Sequence, residues 1–337
     1  MSEQDTTNTP QVGPTAQQLT HIQSNRHQTP LSSQQPLGNQ SSKRVDMKEA
    51  RHWLNVLGVF LIPLMIGVYT IAYNMQQSKI NQQQYDNSVK AAKESHQADI
   101  ALQTDQQQET TLTSYIQNMK DSLFIEGLQK SKPDDGVRAI ARAQTQTTLR
   151  RLDGARKGLV VQFLRDARLI TKNDAIIDLS NADLSSAHLS GADLTDTGLI
   201  GTNLDHADLS SAHLSGADLT GATLTHAHLR GTDLSSATLT SAHLDHADLR
   251  EATLTGAHLD HAHLTGTDLF GATLTDAHLD HATLFGAHLA GATLTTADLR
   301  GADLRTTGIT QQQVNQAFTC KDTITDSYIT HSQHVCN

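Results

Sequence analysis

The histidines in the second half of the chain are the side chains with the widest range of chemistry. Residues 178–310 contain 13 of the 19 histidines. Three of these recur at intervals of 20 residues, namely His206, His226 and His246. Neutral imidazole binds Zn²⁺, Ni²⁺ and Cu²⁺, and Asp205 and Asp245 lie beside this set, so it is a candidate metal site. The same imidazoles gain charge near neutral pH, which makes a proton-sensing surface an alternative. A solvated outer surface without a ligand is the third interpretation, and we favour it.

A leucine repeat sets the spacing of these histidines. Leucine occurs at every fifth position from Leu179 to Leu304, 26 times in succession. Five residues of α-helix turn the chain about 140° beyond a full turn, which would scatter the leucines around the helix. A straight strand would send alternate leucines to opposite faces. All of them can point inward if the chain turns at each unit, which predicts a solenoid around a leucine core.

Each five-residue unit divides into inward and outward positions. The residue two before the leucine is nearly always Ala or Thr, which are small enough to fill the space between leucines. The residue two after the leucine is often glycine, as expected where the chain turns. These glycines are Gly191, Gly216, Gly221, Gly231, Gly256, Gly271 and Gly291. One leucine in four represents the predicted structural core: Leu184, Leu204, Leu224, Leu244, Leu264, Leu284 and Leu304.

The units resemble a known repeat. Ala182-Asp183-Leu184, Ala217-Asp218-Leu219 and Ala302-Asp303-Leu304 are similar to the A(D/N)LXX unit of the pentapeptide repeat family, and the resemblance covers residues 177–310. It implies a mainly β domain, a right-handed quadrilateral β-helix with 20 residues per coil. At about 4.8 Å per coil, it would have about six and a half coils and a length of roughly 30 Å. Before the leucine, where the family favours Asp or Asn, this chain often has His or Thr. Examples are His188, Thr223, His243, Thr253 and His278.

The implied coil predicts how the histidines align. His206, His226 and His246 would stack along one corner, and neighbouring side chains there would point in parallel and not converge on a tetrahedral ion. The same repeat would stack His261 on His281, His243 on His263, and His258 on His278. We therefore expect no catalytic residue, no cofactor and no specific metal site in the repeats.

Residues 53–73 predict a transmembrane helix. This stretch of 21 residues carries no charge, which is enough to cross about 30 Å of hydrocarbon. Trp53 opens it and Tyr69 and Tyr73 close it, as interfacial aromatic residues do. Pro63 would kink the helix, which membrane helices tolerate. A buried core helix and a cleaved signal peptide are the alternatives, but the stretch begins too far from the N-terminus for a signal peptide.

The flanking charges predict an orientation. Four basic residues precede the stretch, Lys43, Arg44, Lys48 and Arg51, whereas Lys79 stands nearly alone after it. The positive-inside rule then places the N-terminus in the cytoplasm and the repeat domain outside it.

The remaining segments complete the predicted organisation. Residues 1–47 are polar and proline-rich, which predicts a disordered tail. Residues 74–172 show helical spacing and predict a helical stalk that covers the first coil, and the stretch from Leu152 to Gly158 resembles the same segment in membrane-anchored bacterial members of the family. Residues 311–337 predict a C-terminal cap and tail. Cys320 and Cys336 are expected to form a disulfide if the tail is extracytoplasmic, and to be free thiols otherwise.

Charge and composition limit the function. Residues 178–310 contain 17 acidic side chains and 4 arginines, a net charge of −13, so direct nucleic-acid binding through phosphates is not expected. A core filled by its own leucines leaves no substrate cavity, so we expect no enzyme. We expect a membrane-tethered scaffold that uses residues 53–73 to contact the lipid bilayer and binds an unknown protein partner, with Ile200, Phe270 and Phe285 as candidate contacts. A homodimer stays open. The alternative is an acidic DNA mimic that inhibits a DNA-binding enzyme such as a topoisomerase, a role known in the family.

Overall fold

The computed structural model describes residues 47–125, 127–171, 175–319, 322–327 and 329. The chain divides into two compact units, Met1–Tyr85 and Asp86–Asn337. The predicted tail at residues 1–47 lies outside the described residues except for Met47. The predicted disulfide between Cys320 and Cys336 lies outside them as well.

The first unit is described by the beginning of a long helix, α1 (Met47–Phe124). The apolar side chains from Trp53 to Tyr73 lie on the protein surface, and Phe60, for example, is 71% exposed. This helix alone, among the described residues, is long and apolar enough to cross a membrane. The candidate span, Arg51–Phe124, includes the stretch that the sequence indicates.

The second unit contains the end of α1 and two shorter helices, α2 (Gly136–Leu149) and α3 (Gly154–Asp166). Helix α3 begins where the side chain of Asp153 accepts a hydrogen bond of 2.9 Å from the backbone N–H of Arg156, which satisfies one of the free donors of its first turn. It ends before Arg168, which has a positive φ of 56°.

The end of α1 is buried against these helices. Tyr115 and Met119 are 3% and 0% exposed, and the hydroxyl of Tyr115 lies 2.9 Å from that of Thr145. This small helical core joins the buried residues of the repeat domain in one cluster.

The repeat domain is a solenoid with a period of 20 residues. The residue before each leucine forms a parallel bridge with the residue 20 positions later, from Asp183–Asn203 through Thr283–Asp303. Each bridge uses two hydrogen bonds; at the first, Leu184 N–H donates to Asn203 at 2.7 Å and Asn203 N–H donates to Ala182 at 2.9 Å. Four five-residue units therefore complete each coil, and the predicted β-helix solenoid is confirmed.

The prediction of a mainly β domain needs a correction. Every parallel contact in the described repeats is a single-residue bridge, and no continuous strand is present there. The reason is the turn that follows each leucine, because it interrupts the extended backbone after the bridging residue. The residue two after the leucine also donates to the next coil, as Gly191 does to Ser210 at 2.9 Å, but this bond does not lengthen the bridge into a strand.

These turns repeat along the solenoid. The carbonyl of each leucine from Leu179 to Leu299 accepts a hydrogen bond from the N–H three residues later, as between Leu204 and Ala207 at 3.0 Å. At Leu304 the hydroxyl of Thr307 donates instead, at 2.7 Å. All 26 residues two after a leucine, positions 181–306, have φ between 52° and 70°. A positive φ at the third residue of a hydrogen-bonded turn is typical of type II turns. Glycine occupies 11 of these positions and other residues occupy 15.

The interior of the solenoid is solid. Every leucine from Leu179 to Leu304 is at most 2% exposed, and the alanines two positions earlier are nearly all buried with them. Two threonines that replace alanine have bonded hydroxyls: Thr232 donates to the carbonyl of Leu209 and Thr267 to that of Leu244, both at 2.7 Å. Threonine therefore fits this core without an unsatisfied polar group at these positions. The buried hydroxyl of Thr197 has no hydrogen-bond partner among the residues that the structure describes.

Helix α3 covers the backbone of the first coil. The N–H of His188 donates to the carbonyl of Gly154 at 2.9 Å. A Cβ at Gly154 would overlap the carbonyl oxygen of Ser186, and a Cβ at Gly158 would overlap that of His188. The two glycines, four residues apart on α3, are thus required for the helix backbone to reach the coil.

At the other end, α4 (Gln311–Gln316) covers the last coil. The side-chain amide of Gln313 donates to the carbonyls of Leu289 and Ala292, both at 2.9 Å. Val314 is fully buried and continues the leucine spacing. Both ends of the solenoid thus have helical covers, which protect unpaired backbone groups from edge-to-edge association.

We predict that Gly158→Ala destabilises the protein by about 1–3 kcal/mol, because the added methyl group forces α3 away from the first coil. The melting temperature of the full chain should fall by roughly 2–10 °C. Gly136→Ala is the matched control, since a Cβ there meets open space, and its stability should be unchanged or higher. Equal melting temperatures for the two variants would show that α3 does not depend on this close approach.

Candidate functional site: the outer surface of the repeat domain

Three residues of each unit face outward: the one before the leucine, the one after it, and the one two after it. Residues 20 positions apart stack in columns, because the bridges hold consecutive coils in this register. A column therefore contains every twentieth residue, and its chemistry can be read along the coil axis. Any site on the repeat domain has to be built from neighbouring columns.

The predicted histidine columns are present in the structure. The rings of His206, His226 and His246 stack with centroid separations of 5.1 and 5.2 Å. Three further pairs stack as well: His243 with His263 at 4.6 Å, His258 with His278 at 4.6 Å, and His261 with His281 at 5.3 Å.

The stacked rings are not arranged for a metal ion. The planes of His206, His226 and His246 lie within 13° of parallel, whereas ligands of one zinc ion must point at a common centre about 2.0–2.1 Å from each nitrogen. The carboxylates of Asp205 and Asp245 are also engaged, because each accepts the backbone N–H of the residue 20 positions later at 3.0 Å. Over the described part of the chain, no group of three or more His, Cys, Asp or Glu side chains has metal-binding geometry.

Asp260 and Asp280 form a hydrogen-bonded carboxylate pair on the outer surface. They are stacked neighbours in one column, beside His258 and His278. Burial, together with the hydrogen bond and the negative charge of Asp280, raises the pKa of Asp260 to about 6. The two carboxyl groups therefore share a proton under mildly acidic conditions, as like charges in contact do.

Basic residues of the helices neutralise the first coil. The guanidinium of Arg142 lies 2.9 Å from Asp178, and the ammonium of Lys157 lies 3.1 Å from Asp183. Arg165 pairs with Asp193 at 2.8 Å. Although burial opposes the shift, the hydrogen bonds from Arg165 and Thr195 lower the pKa of Asp193 to about 2.

A cleft of about 870 Å³ lies between α3 and the first coil. Its lining includes Leu159, Arg165, Ser190 and Asp193. The Arg165–Asp193 pair occupies this lining, so the charged groups of the cleft already satisfy each other. We assign no chemistry to the cleft.

The three exposed apolar residues do not form one patch. Ile200, Phe270 and Phe285 are 44–48% exposed, but their positions differ by no multiple of 20, so they lie in three different columns. Phe270 contacts His288 at a centroid distance of 6.0 Å, and the guanidinium of Arg305 lies 5.5 Å from the ring centre of Phe285. Ile200, Phe270 and Phe285 are therefore separate apolar side chains, and their role as contacts with a protein partner stays a prediction.

The repeat pattern is also found in known proteins. The family model described as Pentapeptide repeats matches residues 177–216, 217–256, 247–284 and 272–307. HetL, a pentapeptide repeat protein involved in heterocyst differentiation regulation in the cyanobacterium Nostoc sp. strain PCC 7120, is 36% identical over 43% of this chain and 67% of HetL, with a TM-score of 0.31. The chain belongs to the pentapeptide repeat family.

Two other solved structures of pentapeptide repeat proteins illustrate the range of the family. Rfr23 of the cyanobacterium Cyanothece 51142 is 36% identical over 32% of this chain and 64% of its own, with a TM-score of 0.21. QnrB1, a plasmid-mediated fluoroquinolone resistance protein, is 19% identical over 48% of this chain and 88% of its own, with a TM-score of 0.24. The chain spans about two thirds of the length of the two cyanobacterial proteins. The comparison with curated proteins gave no match.

The pentapeptide unit of this chain departs from the family pattern in a way that changes hydrogen bonding. Where aspartate precedes the leucine, it often accepts a hydrogen bond from the hydroxyl that follows the leucine. Three such pairs have a distance of 2.6 Å: Asp183–Ser185, Asp218–Thr220 and Asp233–Ser235. Histidine or threonine at this position removes that acceptor, so the outer hydroxyls are available to solvent.

Sequence reasoning missed the parts of the pentapeptide domain that depend on contacts between distant segments. The roles of Lys157 and Arg165 were not predicted, although the sequence shows these two basic residues eight positions apart on α3, ahead of an acidic first coil. The carboxylate pair of Asp260 and Asp280 follows from the 20-residue register, so the spacing of the two aspartates in the sequence is the signal that could have found it.

We predict that Asp260→Asn stabilises the protein near neutral pH. The pKa of Asp260 is about 6 in the folded state and about 3.9 in an unfolded chain. Its favourable contribution is therefore complete below pH ~4 and is lost as the pH rises through 6. Because the carboxyl group is partly solvated, the expected gain in melting temperature at pH 7.5 is only about 1–3 °C. Thermal melts of variant and parent at pH 4.5 and 7.5 measure this difference.

Asp233→Asn is the control for that measurement. Its neighbour in the next coil is Thr253 and not a carboxylate, so it lacks the repulsion that Asn would relieve. A gain at pH 7.5 that is equally large for Asp233→Asn, or equally large for Asp260→Asn at pH 4.5, would contradict the shared proton.

Proposed function

We propose that this protein is a non-enzymatic, membrane-tethered scaffold whose pentapeptide-repeat domain presents an acidic, histidine-rich surface to another protein. One observation carries the proposal. A single polypeptide contains a fully exposed apolar helical stretch and a solenoid whose interior is filled by leucine and alanine.

The apolar stretch supports the membrane tether. Large apolar side chains such as Leu54, Phe60 and Ile66 are at least 60% exposed, and each exposed side chain of this size costs about 1.5–3 kcal/mol relative to burial. A bilayer removes that cost for the whole stretch at once. We propose that residues 53–73 span it, with the N-terminus in the cytoplasm and the repeat domain outside.

The solid interior supports a non-enzymatic role. Enzyme sites lie in concave pockets that bury most of a small ligand, and the axis of this solenoid has no such space because its leucines are at most 2% exposed. The outer columns instead present rows of exposed side chains, and such a surface is better suited to contact with a macromolecule than to enclosing a small ligand. The resemblance to the family further implies that the coils wind with a right-handed, quadrilateral cross-section, and we include that geometry in the proposal.

The charge of the repeats supports a protein partner with a complementary basic surface. Cap residues neutralise Asp178, Asp183 and Asp193, so the remaining acidity belongs to the later coils. Complementary charge increases association rates and selects partners. It also disfavours direct contact with nucleic acid.

The same acidity supports a second candidate function, inhibition of a DNA-binding enzyme by DNA mimicry. This role requires the repeat domain to face the cytoplasm, where such enzymes act. Topology therefore separates the two candidates.

We predict that a C-terminal alkaline phosphatase fusion of the full chain is active in intact cells and that a C-terminal green fluorescent protein fusion is dark. Alkaline phosphatase folds only outside the cytoplasm, and the fluorescent protein matures only inside it. Cell fractionation should place both fusions in the membrane. Deletion of residues 53–73 is the control, and it should reverse both reporters and release the protein into the soluble fraction.

The opposite reporter pattern in the membrane fraction would reject the proposed orientation and favour DNA mimicry. Recovery of the full-length fusion from the soluble fraction would reject the tether itself.

A further inference from the structure

A regular array of threonines occupies one pair of columns in the later coils. Three consecutive coils place threonine both before and after the leucine. The pairs are Thr253 and Thr255, Thr273 and Thr275, and Thr293 and Thr295. Parallel bridges join Thr253 to Thr273 and Thr273 to Thr293, which fixes the three rows in register. We call these six residues the threonine array.

The backbone sets the spacing of the array. The residues before and after a leucine point to the same side, away from the core. Successive rows are separated by about 4.8 Å, the distance between hydrogen-bonded strands, and the two threonines of a row by roughly 6.6–6.8 Å. Short hydrogen bonds hold this spacing; for example, Leu254 donates to Thr273 and Leu274 donates to Thr293, both at 2.7 Å.

The hydroxyls of the array are free for external partners. In other rows a hydroxyl after the leucine donates to an aspartate before it, as Ser235 does to Asp233. The array has threonine at that position and so lacks the acceptor. None of the six hydroxyls donates or accepts a side-chain hydrogen bond within the described part of the chain.

The array is an uncharged area on an acidic domain. Gly271 and Gly291 leave the preceding corner bare, and the nearest charged side chains are Glu251, Asp276 and Asp233 at its margins. Thr293 and Thr295 are exposed, and the other four threonines are half-buried. The charged groups of another protein would lose water here and find no opposite charge on the array. A neutral surface with hydrogen-bonding groups would lose water too, but the threonine hydroxyls could replace the lost hydrogen bonds.

Other threonine pairs of the chain lack this arrangement. Thr238 and Thr240 form a single row, because the rows 20 residues before and after it contain Asp218 and His258. Thr223 also has no second row, and its hydroxyl bonds to Asn203 at 3.2 Å. Only the array repeats the pair in adjacent coils.

We propose that the threonine array binds the surface of ice. The rows of oxygen atoms on the prism faces of hexagonal ice repeat at two spacings close to those of the array, so hydroxyls in this register can replace lattice water molecules. The threonine methyl groups restrict the orientations of first-shell water, which favours a water layer that matches the lattice. The match is one of geometry and neutrality, and it requires neither metal nor cofactor.

The test is an ice-affinity measurement on the full chain in lipid nanodiscs. Ice is grown slowly from the solution, and the fraction of protein in the ice is compared with the fraction of empty nanodiscs. We expect the protein to enrich in the ice. Thr273→Lys, at the centre of the array, should reduce enrichment to the level of empty nanodiscs, because the long hydrated side chain keeps the lattice away from both neighbouring rows.

Thr238→Lys is the matched control, since it makes the same change in the same position of a unit but outside the array. It should retain the enrichment of the parent. Thr293→Lys, at an exposed position, serves as a second array variant if Thr273→Lys alters the melting temperature. The proposal is overturned if the parent enriches no more than empty nanodiscs, if the array variants enrich like the parent, or if Thr238→Lys loses as much as they do.

Discussion

The backbone hydrogen bonds between successive coils are the constraint on which the rest of this protein depends. Each leucine must point inward, so the chain turns after it, and the residues on either side of the turn bond to the neighbouring coils, as Leu244 does to His263 and His246 to Thr265. The register of 20 residues follows from this pairing, as shown by the bridge from His243 to His263. Everything on the outer surface is a consequence, because the register decides which side chains become neighbours.

The turns have a conformational cost, because all 26 turn positions have a positive φ. A positive φ is inexpensive for glycine and unfavourable for most other residues. Only 11 of the 26 turn positions have glycine, and five have histidine: His206, His226, His246, His261 and His281. Histidine, like Asn and Asp, is enriched at such angles, and the stacked rings offset part of the cost. The two ends of the solenoid have no further coil to pair with, and helices cover them. Helix α3 approaches the first coil closely at Gly154 and Gly158, and α4 bonds to the last coil through the buried side chain of Gln313.

Much of the fold was predictable because it depends on local periodicity. The leucine period, the small residue two before it and the glycines two after it lead to a solenoid, and the family resemblance supplies the coil length. Periodicity also predicted the histidine stacks, such as His258 on His278. The periodicity did not predict that continuous strands would be absent from the described repeats, because the spacing of the leucines does not determine how many residues of each unit are extended. Contacts between separate segments, such as that of Lys157 with Asp183, leave no periodic pattern in the sequence, so only the three-dimensional structure shows them.

The measurement that tests the solenoid most directly is hydrogen exchange of individual amides in the full chain. Within each unit from Asn203 to Leu289, four of the five backbone N–H groups donate to backbone carbonyls, whereas the N–H after the leucine does not, as at Asp245. Some of these remaining N–H groups donate to an aspartate side chain instead, as Thr265 does to Asp245 at 3.0 Å. The account predicts a five-residue pattern from Leu204 to Leu289, with the weakest protection at the amide after each leucine and slow exchange at the other four. Protection that is uniform, or that follows a period of 3.6 residues, would contradict it.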